Sequence, residues 1–241
     1  MSPVWHRLRE LTTYARSMTD LQGAVVLVVG ATGGLGTRLA RHLAAAGATV
    51  ISSGRLSPSS DVILADLRER GAAASVVTQA AAVHGRLDGV VIAAGVVAFG
   101  PLEELRDDTL RELFDVNALA PMQLIRSATP HLAASAAAGR EPFIVTLSGI
   151  VAESPTAGLA AYSASKSALN AFTKAATREL RRSSIRLLDA RPGHTQTPLS
   201  RHPIAGTAPA FPPGLDPEAV AARIVTAIVT GERDLPSAAF A

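Results

Sequence analysis

A chain of 241 residues with 48% hydrophobic content, drawn from Ala, Val, Leu and Ile far more than from aromatics, has the material for a substantial core. Its net charge of +3 comes from scattered basic residues with no basic stripe among aromatics, so nucleic acid is not an expected partner. The absence of Cys excludes disulfides, thiolate catalysis and Cys-ligated metals, and the six His residues stand singly, so no metal is expected.

The N-terminus lacks the apolar centre of a signal peptide and no apolar run is long enough to span a bilayer. A cytoplasmic protein with no membrane contact is therefore expected. Val4, Leu8, Leu11 and Ala15 recur at helical spacing, which predicts a helical extension over residues 1–21 packed on the domain or on a neighbouring subunit. A single domain is expected over 22–241.

Within that domain "AVVLVVG" (24–30) reads as a buried strand, and "GTRLARHLAAAG" (36–47) as a helix closed by Gly47. Strands follow at 48–55 and 61–66, then a helix at 75–84 and a strand at 88–95. Residues 101–137 are helical by pattern, with breaks at Pro121 and Pro130. A strand at 142–149, a long helix at 158–182 and a strand at 185–193 come next. The Pro-rich stretch at about 194–215 reads as an irregular, pre-shaped loop, and a last helix covers roughly 216–230. This alternation predicts an α/β fold: a single-domain, Rossmann-like, doubly wound parallel sheet flanked by helices on both faces. Ligands then belong at the carboxyl ends of the strands.

Two motifs sit at those ends. Gly30-Ala31-Thr32-Gly33-Gly34-Leu35-Gly36 lies between the first strand and the first helix, where glycines let a pyrophosphate approach N–H groups at a helix N-terminus. Tyr162 precedes Lys166 by four residues on the long helix, so the two share a face. With two Tyr and two Lys in the chain, random placement yields such a pair only about 0.02 times. A phenol is too weak an acid for efficient proton transfer at neutral pH, and a nearby ammonium is expected to lower its pKa.

The glycine loop and the Tyr-x-x-x-Lys pair together resemble the short-chain dehydrogenase/reductase family over about residues 22–200. The resemblance implies an oxidoreductase that interconverts a carbonyl and an alcohol on a small or medium organic substrate, with Tyr162 as general acid/base. Lys166 would tune that acid and hold the nicotinamide ribose, and Asn117 would hold a water in a proton relay. Gly30, Thr32, Gly33, Gly34, Leu35 and Gly36 would cradle the cofactor. Asp66 and Leu67 would meet the adenine, Gly95 would allow close approach, and Pro192, Gly193 and Thr197 would contact the nicotinamide amide. The second strand ends in Ser53-Gly54-Arg55, a cation where NAD users carry an acid, which favours NADP over NAD. A homodimer or homotetramer formed through the helices at 101–137 and 158–182 is implied, with 194–215 as substrate lid.

Three departures qualify the resemblance. The family's catalytic Ser lies thirteen residues before the Tyr, and that position is Gly149; Ser148 is the neighbouring candidate, with Ser154 and Thr156 as others. One lost oxyanion donor costs about 3–4 kcal/mol of transition-state stabilisation. The family's Asn-Asn-Ala-Gly appears as Ile92-Ala93-Ala94-Gly95, and the span from Arg55 to Asp66 is too short for the usual helix. A non-redox isomerase, cyclase or dehydratase, or a cofactor-binding pseudo-enzyme, therefore stays open as a rival reading.

Overall fold

The structure, a computed structural model, describes residues 18–56 and 59–241. The helical extension expected over 1–21 lies almost wholly outside the described residues. Its described end is not helical: Thr19 N–H donates to the Val229 carbonyl at 3.0 Å, and its hydroxyl accepts from Arg186 at 2.7 Å.

Six strands form one sheet: β1 (Val25–Val29), β2 (Thr49–Gly54), β3 (Val62–Leu64), β4 (Gly89–Ile92), β5 (Phe143–Leu147) and β6 (Arg186–Ala190). Their order is β3-β2-β1-β4-β5-β6 and every pairing is parallel. The helices are α1 (Gly34–Ala45), α2 (Ala72–His84), α3 (Asp107–Phe114), α4 (Ala120–Ala137), α5 (Ala160–Leu180) and α6 (Pro217–Val229). The fold is the doubly wound α/β sheet that the alternation predicts.

β1 shows why its sequence is an unbroken apolar run. Val26 and Val28 pack with Leu39 and Leu43 of α1 and Val220, Ile224 and Ile228 of α6. Val25, Leu27 and Val29 pack on the opposite face with Val76 and Val77 of α2 and Leu124, Ala128 and Leu132 of α4. Strand period two places alternate residues in two cores, so neither face tolerates a polar side chain. At the lower rim Asp88 is the exception: its carboxylate accepts from Val25 N–H at 2.8 Å and from the Ser135 hydroxyl at 2.6 Å.

The chain order reverses direction between β1 and β4, which opens a crevice at their carboxyl ends. No helix occurs between β2 and β3 among the described residues. A short return suffices because β3 is three residues long, so the chain retraces little of β2 before pairing.

The 101–137 segment is less regular than its pattern predicts. A 3₁₀ turn covers Leu102–Glu104, and a π turn over Asp115–Leu119 joins α3 to α4. Pro121 falls in the first turn of α4, and Pro130 lies within that helix without ending it. No helix among the described residues is long and apolar enough to cross a membrane.

Candidate active site

The glycine loop crosses the crevice at close quarters. Gly30 has φ of +83°, and a Cβ there would lie 2.6 Å from Ala94 N, so the backbone passes directly over the end of β4. A Cβ on Gly36 would sit 2.0 Å from the Gly30 carbonyl oxygen. The loop is fixed by Gly30 and Ala31 N–H groups donating to the Ser53 carbonyl at 2.8 and 2.9 Å. Thr32 presses on Gly54 at the end of β2, and Leu35 packs inward on the first core. Gly34 backs onto Thr197 and Pro198, where an added Cβ would come within 2.9 and 2.7 Å. α1 starts here with Gly33 as an N-cap that offers no side chain and with no acid in its first turn. Its N–H groups and positive dipole end are therefore available to an anion. This is a cradle that any side chain would fill, and it fits a nucleotide pyrophosphate.

Arg55, Asp66 and Leu67, expected at the adenine, lie at the ends of β2 and β3 together with Arg68, which the sequence reading missed. Arg55 is exposed at the end of β2. Asp66 is engaged by Arg68, whose side chain donates to it at 2.9 Å and whose backbone N–H donates at 3.0 Å. Those bonds to Arg68, with a smaller push from Arg55, hold the Asp66 carboxyl down at about 2. Arg68 also pairs with Glu112 at 3.0 Å. Leu67 is turned toward the second core.

Tyr162, Lys166 and Asn117, the residues expected to move protons, come together where β4, β5, the π turn and α5 meet. Lys166 is 6% exposed, and its Nζ donates to the Leu147 carbonyl at 2.8 Å. That nitrogen lies 5.9 Å from the centroid of the Tyr162 ring. Gly95 faces both it and Asn117: a Cβ there would fall 3.3 Å from Lys166 Nζ and 3.2 Å from Asn117 Oδ1. Asn117 is fully buried, and its amide is committed. Oδ1 accepts from Val96 N–H at 2.9 Å, while Nδ2 donates to the Val96 carbonyl at 2.9 Å and to Ser165 Oγ at 3.1 Å. The other acceptor of this residue is its backbone carbonyl. Pro121, four residues on, has no N–H to occupy that carbonyl in α-helical fashion.

One electrostatic expectation is reversed. Burial pushes the Tyr162 phenol up to about 12 rather than the ammonium drawing it down. The reason is geometric: Lys166 points at the Leu147 carbonyl, and the ring is packed among Val97, Phe99, Leu159 and Ala208 on one side and Ala98, Leu113 and Ala161 on the other. The same burial lowers Lys166 to about 8, with Asp189 opposing the fall.

Ser148 is also corrected. It is 0% exposed, and its hydroxyl donates to Asp189 Oδ2 at 2.5 Å, inside a buried polar cluster on the side of β5 facing α5. Strand alternation decides this, because Ser148 shares its face with Thr146, whose hydroxyl reaches the other oxygen of Asp189 at 2.7 Å. Gly149, at the family's serine position, has φ of +73°, and a Cβ there would meet nothing nearer than the Pro192 carbonyl at 3.7 Å. The alternative hydroxyl of Thr156 is exposed and donates to the Ser154 carbonyl at 3.1 Å. Ser148→Ala is expected to lower stability by about 1–3 kcal/mol, as for a lost buried hydrogen bond to a charged group. Turnover per folded molecule should stay within about twofold, which melting and active-site-normalised kinetics check together.

The loop at 194–215 roofs the site. Ile204 N–H donates to the Val97 carbonyl at 2.9 Å and Phe99 N–H to the Ala205 carbonyl at 3.0 Å. Phe211, between Pro209 and Pro212, stacks on His194 with centroids 4.5 Å apart and lies 5.9 Å from the Phe99 ring. Pro192 and Gly193 lead into this loop at the end of β6, and the Pro192 carbonyl accepts from Ile150 N–H at 2.9 Å. Behind the roof is a pocket of about 190 Å³ lined mainly by Phe99, Leu102, Leu105, Leu159 and Ala205.

Residues 24–205 match the short chain dehydrogenase family, and the chain belongs to it. It is thereby a member of an oxidoreductase family with a Rossmann-like nucleotide-binding sheet. Its relatives include an uncharacterized oxidoreductase of Methylorubrum extorquens, 31% identical over 75% of this chain and 76% of that one. Dehydrogenase/reductase SDR family member 4 of Bos taurus is 30% identical over 82% of this chain and 75% of its own. Among solved structures, a short chain dehydrogenase from Burkholderia cenocepacia in complex with NADP is similar at a TM-score of 0.77. It is 27% identical, with 91% of this chain and 98% of that one covered.

Proposed function

We propose that the chain is an NADP(H)-dependent oxidoreductase that interconverts a carbonyl and an alcohol on a small or medium apolar substrate. The reading rests on one observation: Tyr162 and Lys166 lie side by side at the crevice end of the sheet that also carries the Gly30–Gly36 cradle, with Gly95 against Lys166. When bound, the nicotinamide supplies or takes up hydride. Gly30, Thr32, Gly33, Gly34, Leu35 and Gly36 would hold the pyrophosphate, Asp66 and Leu67 the adenine, and Gly95, Pro192, Gly193 and Thr197 the nicotinamide half.

Tyr162 is the proton donor in reduction and the acceptor in oxidation. Tyr162 is only partly buried, and no buried side-chain oxygen among the described residues lacks a partner. Its unpaired hydroxyl is therefore reachable from the crevice and available to a substrate oxygen. Lys166 keeps positive charge beside the phenol and holds the cofactor ribose. The apolar wall of Val97, Val151, Phe99, Leu159 and Ala208 around the ring favours a substrate without charge next to its reacting carbon.

The exposed Arg55 at the end of β2, beside an Asp66 already paired to Arg68, supports the 2′-phosphate of NADP as ligand. Arg55→Ala is expected to weaken NADPH binding by about tenfold or more and to leave NADH binding within about twofold, as calorimetry would show. Unchanged NADPH affinity would remove the basis for this preference.

Gly149 favours a second reading, a non-redox enzyme that uses Tyr162 as an acid without a serine hydroxyl. A nicotinamide absorbance assay over a panel of ketones and alcohols, with NADP and NAD, separates the two. Cofactor binding with no substrate-linked change in absorbance would count against the first. A cytoplasmic homo-oligomer built on α4 and α5 completes the proposal, and sedimentation showing a monomer would refute that part.

A further inference from the structure

The carboxyl end of β6, the edge strand of the sheet, carries the buried Asp189, and the buried Arg191 follows just beyond it. Asp189 is 5% exposed and Arg191 4% exposed, in line with Leu187, Leu188 and Ala190, all buried. Asp189 is saturated with donors from three elements. Thr146 Oγ1 reaches it at 2.7 Å and Ser148 Oγ at 2.5 Å, one on either side of Leu147 in β5 and the loop after it. Asn170 Nδ2 reaches it at 2.7 Å from α5, one turn beyond Lys166. Arg191 Nη1 lies at 3.3 Å. The carbonyl that Lys166 holds belongs to Leu147, the residue between the two hydroxyl donors.

We propose that Asp189 is a positioning residue of this site: its carboxylate clamps β5 to α5 around Lys166 and supplies the counter-charge that keeps the buried ammonium protonated. This rests on Lys166 being the cation of the proposed active site. The charges around it make the assignment specific. Lys166 faces the Tyr162 phenol on its own helix. From β4 it meets Gly95, from β5 the Leu147 carbonyl and from the π turn Asn117, none of which ionises. β6 alone brings a charge, that of Asp189. Arg191 does not cancel it, because the guanidinium is shared with Glu153 and with Asp234 at 2.8 Å. Three carboxylates thus converge on one guanidinium, so it offsets the Asp189 charge only in part. Burial lowers the proton affinity of that lysine, and the Asp189 charge opposes the fall. Gly149 removes a hydroxyl from the site while the neighbouring Ser148 serves the clamp.

The chain contains two lysines, Lys166 and Lys174, so ¹³Cε-lysine NMR of the whole protein reads Lys166 directly, with Lys166→Arg to assign it. In the wild type Lys166 is expected to titrate near 8. Asp189→Asn should lower that midpoint by about one unit, a tenfold loss of proton affinity. Asn170→Ala, which keeps the carboxylate and removes one donor, should lower the melting temperature and leave the midpoint in place. A folded Asp189→Asn protein with an unmoved Lys166 midpoint overturns the proposal. If Asp189→Asn does not fold, the wild type labelled at Asp ¹³Cγ answers instead. Charge coupling is reciprocal, so the Asp189 carbon must register a step at the Lys166 midpoint, and its absence overturns the proposal equally. Neither readout uses turnover, so a chain inactive on every ketone and alcohol tested leaves this result standing on its own.

Discussion

Tyr162→Phe is expected to lower turnover by about 10²–10⁴-fold while cofactor affinity and melting temperature hold. The separation follows from how the ring is used. Its faces pack on Val97, Phe99, Leu159 and Ala161, contacts that Phe keeps. The hydroxyl makes no bond to any described residue, so its loss costs the fold little and the chemistry much. Rates in the wild type should carry the two shifted titrations. In the reductive direction the phenol must be protonated, and with its pKa pushed up to about 12 it remains so throughout the working range. The visible limb then belongs to Lys166, cationic below about 8 and neutral above it, so reduction declines as pH rises through that value. Alcohol oxidation needs the phenolate and gains as pH rises. A Tyr162→Phe protein that keeps more than a tenth of wild-type turnover would assign the proton transfer to another group.

Gly36→Ala should abolish measurable cofactor binding, with a loss of about 100-fold or more. Two effects compete at this helical position. Alanine improves helix propensity by about 1 kcal/mol over glycine. Against that, its Cβ would stand 2.0 Å from the Gly30 carbonyl oxygen and 2.7 Å from its carbon, backbone atoms with no side-chain freedom to yield. Overlap of that depth wins, and α1 must lift away from the loop that it anchors. Gly33→Ala is the matched control, since its nearest neighbour would be the Gly30 carbonyl oxygen at 3.3 Å, a contact that a small shift relieves. Calorimetry with NADPH alongside melting curves distinguishes the cases. Equal affinities for the two variants would mean that the close approach of Gly30 and Gly36 does not shape the cradle.

The strand and helix order was legible because each β-strand is a short Val/Ile/Leu run buried on both faces, and each helix shows its apolar stripe. Boundaries fell within a few residues for the same reason, except over 101–137. There the deciding interaction is Asn117 reaching across to Val96, twenty-one residues away in sequence, through a π turn. Periodicity along one segment carries no trace of such a partner. Arg68 was missed because a single Arg after an Asp-Leu pair looks like surface charge, although it engages Asp66 and Glu112 together.

The sequence by itself determined the parallel sheet, the glycine loop, and the Tyr162–Lys166 pair, because those depend on local spacing and composition. The tertiary structure decided what each group faces. It turned Ser148 into the interior and pointed the Lys166 ammonium at the Leu147 carbonyl. It also raised the Tyr162 pKa where spacing alone argued for a fall. Asp189 and Arg191 were visible as "DARPG", charges at and just past the end of an apolar strand, yet their meaning depends on Thr146, Asn170, Glu153 and Asp234 arriving from elsewhere in the chain. Desolvation and charge pairing are set by neighbours in space, and strand pairing and helix packing bring those neighbours together only in the folded chain.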